Sequence, residues 1–118
     1  DVIHDLAIVS TRRGAPALKL ATDAPDYSTP VTLIGHPFGF PDAFMVPGVV
    51  AHPSSTVFTQ PPWNRPYMIL TTPGAPGNSG SPVVNSKGEL VSVLQVPLCQ
   101  RRDTHVSIPV LHGRLSMD

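Results

Sequence analysis

Prolines and glycines divide this chain into short segments. The sequence has 15 Pro and 9 Gly among 118 residues, spread from Gly14 to Gly113. Proline is excluded from helix interiors and from central strands, and glycine weakens both, so each marks a turn or an edge. Between them lie short apolar runs such as residues 31–35 and 67–70. This pattern disfavours long helices and predicts an all-β protein of short strands joined by turns.

The predicted strands form a single barrel. Their number and even spacing predict a six-stranded antiparallel β-barrel, with a hairpin turn at residues 86–88. Because Pro109 suits the first turn of a helix, we expect a short C-terminal helix over residues 109–115. A further strand is expected at residues 2–9. The six strands of the barrel are expected at residues 31–35, 47–51, 67–70, 82–84, 90–94 and 104–108.

Composition limits the function classes. The length suits one domain, and eight basic and eight acidic residues balance to zero net charge, so no nucleic-acid or membrane surface is predicted. No apolar run is long enough for a membrane span. The single cysteine, Cys99, cannot form an internal disulfide, and no metal or other cofactor is predicted. The first residue is Asp1, not Met, and it begins no signal-peptide pattern, so we expect a processed or cut product, and no compartment is indicated.

A glycine-rich turn carries the strongest functional signal. Residues 77–82, Gly-Asn-Ser-Gly-Ser-Pro, are here named the serine turn and place a hydroxyl between two glycines. A nucleophilic serine needs an exposed position on a tight bend, with backbone N–H groups that converge on the developing oxyanion. Ser79 is the candidate nucleophile, and the N–H groups of Gly77 and Ser79 are the candidate oxyanion hole. The alternative is an ordinary glycine turn between two strands.

Longer segments around this turn resemble a known family. The stretch GNSGSPVVNSKGELVSV resembles the nucleophile segment of trypsin-like serine proteases, in particular their HtrA-like and glutamyl-endopeptidase branches. Gly-His-Pro-Phe-Gly at residues 35–39 and His-Val-Ser-Ile-Pro at 105–109 resemble further HtrA-like segments. The resemblance implies the C-terminal half of a double-barrel protease domain. Residues 1–9 would be the last strand of the first barrel, 10–30 the connector between barrels, and 31–118 the second barrel.

The same resemblance implies a catalytic aspartate. Asp5-Leu6-Ala7-Ile8 is similar to the segment that carries this residue in trypsin-like proteases. A carboxylate within an apolar strand is costly unless it is paired, and hydrogen bonding to an imidazole would pair it. The alternative is a surface aspartate at the end of a strand. His36 fits the variable position of the Gly-His-Pro-Phe-Gly turn and is interpreted as structural.

The catalytic base is the missing part of this pattern. Trypsin-like proteases place their histidine before the aspartate, and only four residues precede Asp5. The subtilisin order would admit His36 or His52, but that class is α/β and much longer. The α/β-hydrolase order would admit Asp103 and His105, but its Gly-x-Ser-x-Gly elbow is not present. We therefore expect the histidine on a segment or a companion chain, carrying an N-terminal barrel, outside this sequence.

A substrate pocket also follows from the resemblance. The residue six positions before the nucleophile, at the pocket floor, is Pro73; it is not aspartate, so cleavage after Arg or Lys is not expected. The expected pocket walls are Leu94, Gln95 and Val96, together with the strand around His105. Apolar walls favour a small or medium apolar side chain, whereas His105 would favour a carboxylate. Both preferences stay open.

Three functions are consistent with these features. The first is a serine endopeptidase that cleaves a polypeptide substrate through an acyl-enzyme at Ser79. The second is a non-catalytic peptide-binding or structural barrel derived from such an enzyme. The third, a viral or phage protease that processes its own polyprotein, differs from the first only in substrate. The presence of both Asp5 and an intact serine turn favours an enzyme. The absence of the catalytic base from this sequence favours a binding or structural protein.

Overall fold

The structure is a computed structural model that describes residues 6–56, 66–72, 75–95, 105–111 and 114–115, the last two ranges by their backbone alone. These residues form strands and one short 3-10 turn, Pro37–Gly39, between the first two strands. No helix in this part of the chain has the length and apolar character that crossing a membrane requires. The strands are β1 (Pro30–Gly35), β2 (Phe44–Ser55), β3 (Tyr67–Leu70), β4 (Pro82–Val84), β5 (Leu90–Gln95), β6 (His105–Leu111) and β7 (Arg114–Leu115).

Antiparallel pairing closes these strands into a barrel. The sheet order is β3-β2-β1-β4-β5-β6-β7, and β6 also pairs with β3, so the ring closes between those two strands. The two-residue β7 pairs only with the end of β6. The all-β class is thus confirmed, although the described strands exceed the predicted six by one, β7. Closure gives hydrogen-bond partners to backbone N–H and C=O groups that would remain unpaired at the edges of an open sheet.

Alternating side chains from the strands fill the barrel. In β1 the side chains of Val31 and Leu33 are buried, while those of Thr32 and Ile34, which alternate with them, are partly exposed. This period of two follows from the pleat, which sends successive side chains to opposite faces. The core cluster consists of Ala21, Val31, Leu33, Val50, Met68, Leu70, Val83, Val91 and Leu94.

The predicted C-terminal helix is wrong. Residues 109–111 continue β6, where Pro109 lies opposite Ser92 of β5, and Arg114 pairs back with Leu111. The helix prediction used only the local suitability of Pro109. The neighbouring strand β5 extends the ladder into this segment, and backbone pairing with a partner strand outweighs the local preference for one isolated helical turn.

Strand β2 is longer than predicted, and the first predicted strand differs as well. The second barrel strand was expected at residues 47–51, yet β2 continues to Ser55, which pairs with Tyr67 of β3. Over residues 6–9, the described part of the strand expected at 2–9, no strand forms. Ile8 and Val9 are almost fully exposed there. A strand needs a partner, and the described strands of the barrel pair with one another instead.

The connector is attached to the barrel through strands β2 and β5, and Ser28 N–H donates to Val50 O of β2 at 2.7 Å. Leu20 forms a parallel bridge with Leu90 of β5, supported by bonds from Leu90 N–H to Lys19 O (2.8 Å) and from Ala21 N–H to Leu90 O (2.9 Å). Ala21 is therefore buried in the core although it lies outside the barrel strands. Further upstream, Leu6 packs against Tyr67 of β3.

Candidate active site

The serine turn folds through two glycines in the left-handed region. Gly77 has φ +96° and Gly80 has φ +84°, backbone conformations that residues with a Cβ rarely adopt. Bonds from Asn78 N–H to Ala75 O (3.1 Å) and from Ser81 N–H to Asn78 O (3.0 Å) tighten the bend. Ser79 lies between these glycines and is exposed. The local sequence thus folds into a tight bend with Ser79 exposed on it.

Strand β5 holds the C-terminal end of the turn. Gly80 N–H donates to Leu94 O (2.8 Å), and Leu94 N–H donates to Ser81 O (2.9 Å). The Leu94 side chain itself is buried in the hydrophobic core, so it is the backbone of Leu94 that borders the turn. The end of β5, where the pocket walls were expected, therefore lies directly beside the residues that follow Ser79.

The 3-10 turn holds the N-terminal end. Phe38 N–H donates to Pro76 O at 2.6 Å. A Cβ on Gly77 would lie 3.0 Å from His36 O and 3.2 Å from Phe38 N, so the two turns touch through their backbones. The His36 ring lies with Nδ1 3.1 Å from Phe40 O, where it can donate a hydrogen bond that braces the same turn. This contact agrees with the structural interpretation of His36.

Two backbone N–H groups of the turn have no hydrogen-bond partner among the described residues. Those of Asn78, Gly80 and Ser81 are each hydrogen-bonded, whereas those of Gly77 and Ser79 donate to no other residue in the described part of the chain. These two groups are the predicted oxyanion donors. An N–H that makes no internal bond and lies on an exposed turn remains available to a ligand oxygen.

Asn78 and Gly35 were not singled out from the sequence. Asn78 is buried, and its Oδ1 has no hydrogen-bond partner among the described residues. A Cβ on Gly35 would lie 2.6 Å from both Asn78 Oδ1 and Ser81 Oγ, so only glycine lets the serine turn pack against the end of β1. The sequence feature that could have pointed to Asn78 is its polar side chain next to the candidate nucleophile, within the segment that Gly77 and Gly80 enclose.

The remaining predicted site residues are only partly placed. Asp5, Pro73 and Val96 lie outside the described residues. His105 begins β6, with its Cα opposite that of Leu70 in β3. Gln95 is buried at the end of β5, where it pairs with Val106. The ends of β3 and β5 and the start of β6 therefore meet on neighbouring strands, as a pocket built from these segments requires.

The two histidines whose side chains are described, His36 and His52, form hydrogen bonds away from Ser79. His52 Nδ1 accepts from Ser54 N–H (3.1 Å), which leaves Nε2–H to donate to Tyr27 Oη at 3.2 Å. In the described part of the chain no hydrogen bond joins a histidine to Ser79. Nor do three or more His, Cys, Asp or Glu side chains gather there to hold a metal ion.

Comparison with known families defines the class of protein. The model of the trypsin-like peptidase domain family matches residues 1–93, and the chain belongs to that family. Its fold is similar to that of HtrA-type proteases. It is similar to the HtrA-type protease AlgW solved with a decapeptide, at a TM-score of 0.65 and 22% identity, over 80% of this chain and 30% of that one.

Two other solved structures are similar. One is Rv3671c from M. tuberculosis in an inactive form, with a TM-score of 0.66 and 17% identity over 80% of this chain and 48% of that one. The other is the serine endoprotease from Yersinia pestis, with a TM-score of 0.61 and 21% identity over 80% of this chain and 31% of that one. A comparison with curated proteins finds no match. The chain thus spans less than half the length of these three solved chains.

Proposed function

We propose that this chain is the serine-bearing part of a serine endopeptidase. A base takes the proton of Ser79 Oγ, and the oxygen attacks a peptide carbonyl. The N–H groups of Gly77 and Ser79 stabilise the oxyanion, the amine leaves with a proton, and water then hydrolyses the acyl-enzyme. One observation carries the proposal: an exposed hydroxyl lies on a turn whose two expected donors have no other described partner.

The proposed base is a histidine outside the printed sequence, oriented by Asp5. Under this proposal residues 1–9 belong to a first barrel, 10–30 connect the barrels, and 31–118 form the second. The exposure of Ile8 and Val9 supports a companion barrel, because an apolar pair at the end of such a strand would be covered by it. The companion, as a segment or a separate chain, would bring the histidine to the serine turn.

The proposed substrate is a polypeptide. The side chain before the cleaved bond would enter a pocket with Pro73 at its floor and with Leu94, Gln95, Val96 and His105 around it. The position of the β5 backbone beside Gly80 and Ser81 supports this placement. A small apolar side chain and a carboxylate held by His105 are the two preferences to compare with matched peptides.

A fluorophosphonate probe tests the nucleophile. We expect the complete protein that carries this sequence to take up one probe per chain, measured by mass spectrometry, and Ser79→Ala to take up none. Ser86→Ala is the control, because Ser86 is exposed on the β4–β5 turn and should leave labelling unchanged. Labelling that persists in Ser79→Ala, or no labelling of the complete protein, would refute the proposal.

A non-catalytic peptide-binding barrel is the second candidate. It is favoured by one observation, that no described histidine is bonded to Ser79. This function predicts that the complete protein binds peptides but does not react with the probe. Measuring both in the same preparation separates the two candidates.

A further inference from the structure

Three aromatic rings form an exposed surface beside the serine turn. Phe38, Phe40 and Phe44, here named the aromatic strip, are 67%, 50% and 44% exposed. The rings of Phe40 and Phe44 stack with centroids 5.7 Å apart and planes 8° from parallel, and Phe38 meets Phe40 edge-on at 6.3 Å. Scattered exposed apolar residues are ordinary, but three rings that contact one another in series through Phe40 form a continuous patch of the kind that binds partners.

Backbone structure holds the strip in this exposed position. Phe38 has φ +55°, an uncommon and strained conformation for a residue with a bulky side chain. Its N–H is fixed by Pro76 O, and Phe40 N–H donates to Pro37 O at 3.1 Å. Phe44 starts β2 and pairs with Gly35 of β1. The strip is therefore anchored on the barrel, not on a free loop.

The strip and strand β5 lie at opposite ends of the serine turn. β5 bonds to Gly80 and Ser81, after Ser79, whereas the 3-10 turn that carries Phe38 contacts Pro76 and Gly77, before Ser79. A substrate at Ser79 extends in two directions from its reacting carbonyl. If its acyl side occupies the pocket at the end of β5, as proposed above, its leaving-group side extends toward the strip.

We propose that the aromatic strip binds the leaving-group side of a polypeptide substrate and selects an aromatic or large apolar residue just after the cleaved bond. This inference rests on the proposed function and adds a specificity determinant to it. The physical basis is that an apolar side chain laid against exposed rings removes apolar surface of both partners from water. Continuity of the strip with the serine turn, through the Phe38 N–H to Pro76 O bond, argues for substrate as the occupant.

Acyl transfer to added amines measures binding on the leaving-group side alone, because the attacking amine occupies the position of the leaving group. The complete protein is acylated with an N-acetyl-alanine thioester, and phenylalaninamide and glycinamide then compete with water for the acyl-enzyme. We expect phenylalaninamide to react at least about threefold better than glycinamide, and Phe40→Ala to remove that preference. Phe40→Leu should keep part of it. Tyr27→Ala, which removes an exposed ring that contacts His52, is the matched control and should keep all of it.

Peptide binding to Ser79→Ala protein gives a second, independent readout. Fluorescently labelled peptides that differ only in Phe or Ser after the expected cleavage point are compared by anisotropy. We expect the Phe peptide to bind at least about threefold more tightly, and that difference to disappear in Ser79→Ala/Phe40→Ala. Because Phe40 is half exposed and lies outside the core cluster, its replacement should leave a single cooperative thermal unfolding transition.

The outcomes separate this inference from the proposed function. Equal reaction of the two amides with an acyl-enzyme that does form, or a preference that persists in Phe40→Ala, would overturn the strip as a subsite and leave the peptidase intact. Where the thioester forms no acyl-enzyme, the fluorophosphonate probe decides the peptidase, and the anisotropy comparison still decides the strip. A concentration-dependent dimer that Phe40→Ala dissociates, with no peptide preference, would assign the strip to self-association and also overturn the inference.

Discussion

At the scale of single residues, the candidate site depends on positions where a Cβ does not fit. Gly35 is pressed against Asn78 and Ser81, and Gly77 against the backbone of residues 36–38. Gly35 lets the side chains of Asn78 and Ser81 pack against the backbone of β1, and Gly77 lets the serine turn lie against the backbone of the 3-10 turn. A residue with a Cβ would prevent either approach. The exposed Ser79 hydroxyl is thus positioned by its glycine neighbours, while its own side chain makes no described hydrogen bond.

Replacing Gly77 tests this role. In Gly77→Ala the new Cβ would lie 3.0 Å from His36 O, on a backbone with φ +96°, so the turn must shift. We expect a loss of stability of about 1–3 kcal/mol and a probe-labelling rate lower by about 10–100-fold, because a displaced donor no longer meets the oxyanion. Stability is measured by thermal melting and labelling by mass spectrometry.

Gly14→Ala is the control for this experiment. A Cβ there would meet nothing within 4 Å, and the position has no positive φ, so both stability and labelling should stay at the wild-type level. Wild-type labelling by Gly77→Ala would show that the oxyanion donors lie elsewhere.

At the scale of elements, the β4–β5 hairpin is organised by one side chain. Asn85 Oδ1 accepts from the N–H groups of Lys87 and Glu89, both at 3.0 Å, and its Nδ2 donates to Glu89 Oε1 at 3.1 Å. Lys19 of the connector lies 3.5 Å from Glu89 Oε2. The hydrogen bond from Asn85, and then the charge of Lys19, lower the pKa of Glu89 below its ordinary value of 4.5. The ionised carboxylate therefore links connector and hairpin.

This link predicts a pH dependence of stability. Because the pKa of Glu89 is lower in the folded than in the unfolded chain, its contribution is complete above pH 4.5 and is lost as the pH falls through the lowered value. In Glu89→Gln the melting temperature should fall less steeply between neutral and acidic pH than in the wild type. Lys19→Gln should retain most of the wild-type slope, since Asn85 supplies the larger effect. An unchanged slope in Glu89→Gln would contradict this assignment.

At the scale of the whole molecule, stability depends on a core to which almost every strand contributes. Leu33 of β1 is 1% exposed and packs with residues of β2 to β5 in one cluster. Leu33→Ala removes buried apolar volume and should cost about 2–5 kcal/mol, seen as a lower midpoint in chemical denaturation. Leu18→Ala is the matched control, because Leu18 is 52% exposed in the connector and should change stability by less than about 0.5 kcal/mol. Equal effects of the two substitutions would show that this barrel core does not form as described.

Sequence reasoning succeeded where the signal was local. The positions of β1, β3, β4 and β5 follow from apolar alternation bounded by glycine and proline, and they differ from the prediction by at most one residue at either end. It failed at residues 52–55 and at the start of 109–115, where pairing with another strand decides the conformation. In both places turn-forming or proline-containing sequence is kept extended by ladder bonds to a partner far away in the chain.

By itself, the sequence determined the all-β class and the serine turn, because glycine dihedrals, proline restrictions and the period of two depend on neighbouring residues. Only the tertiary structure decided which segments flank that turn. Phe38 is bonded to the residues that precede Ser79, and Leu94 to those that follow it, because β1 and β5 pair with opposite sides of β4. No local sequence pattern encodes that arrangement. The exposure of the aromatic strip has the same origin. Apolar rings become a surface only when closure of the barrel leaves them outside its core.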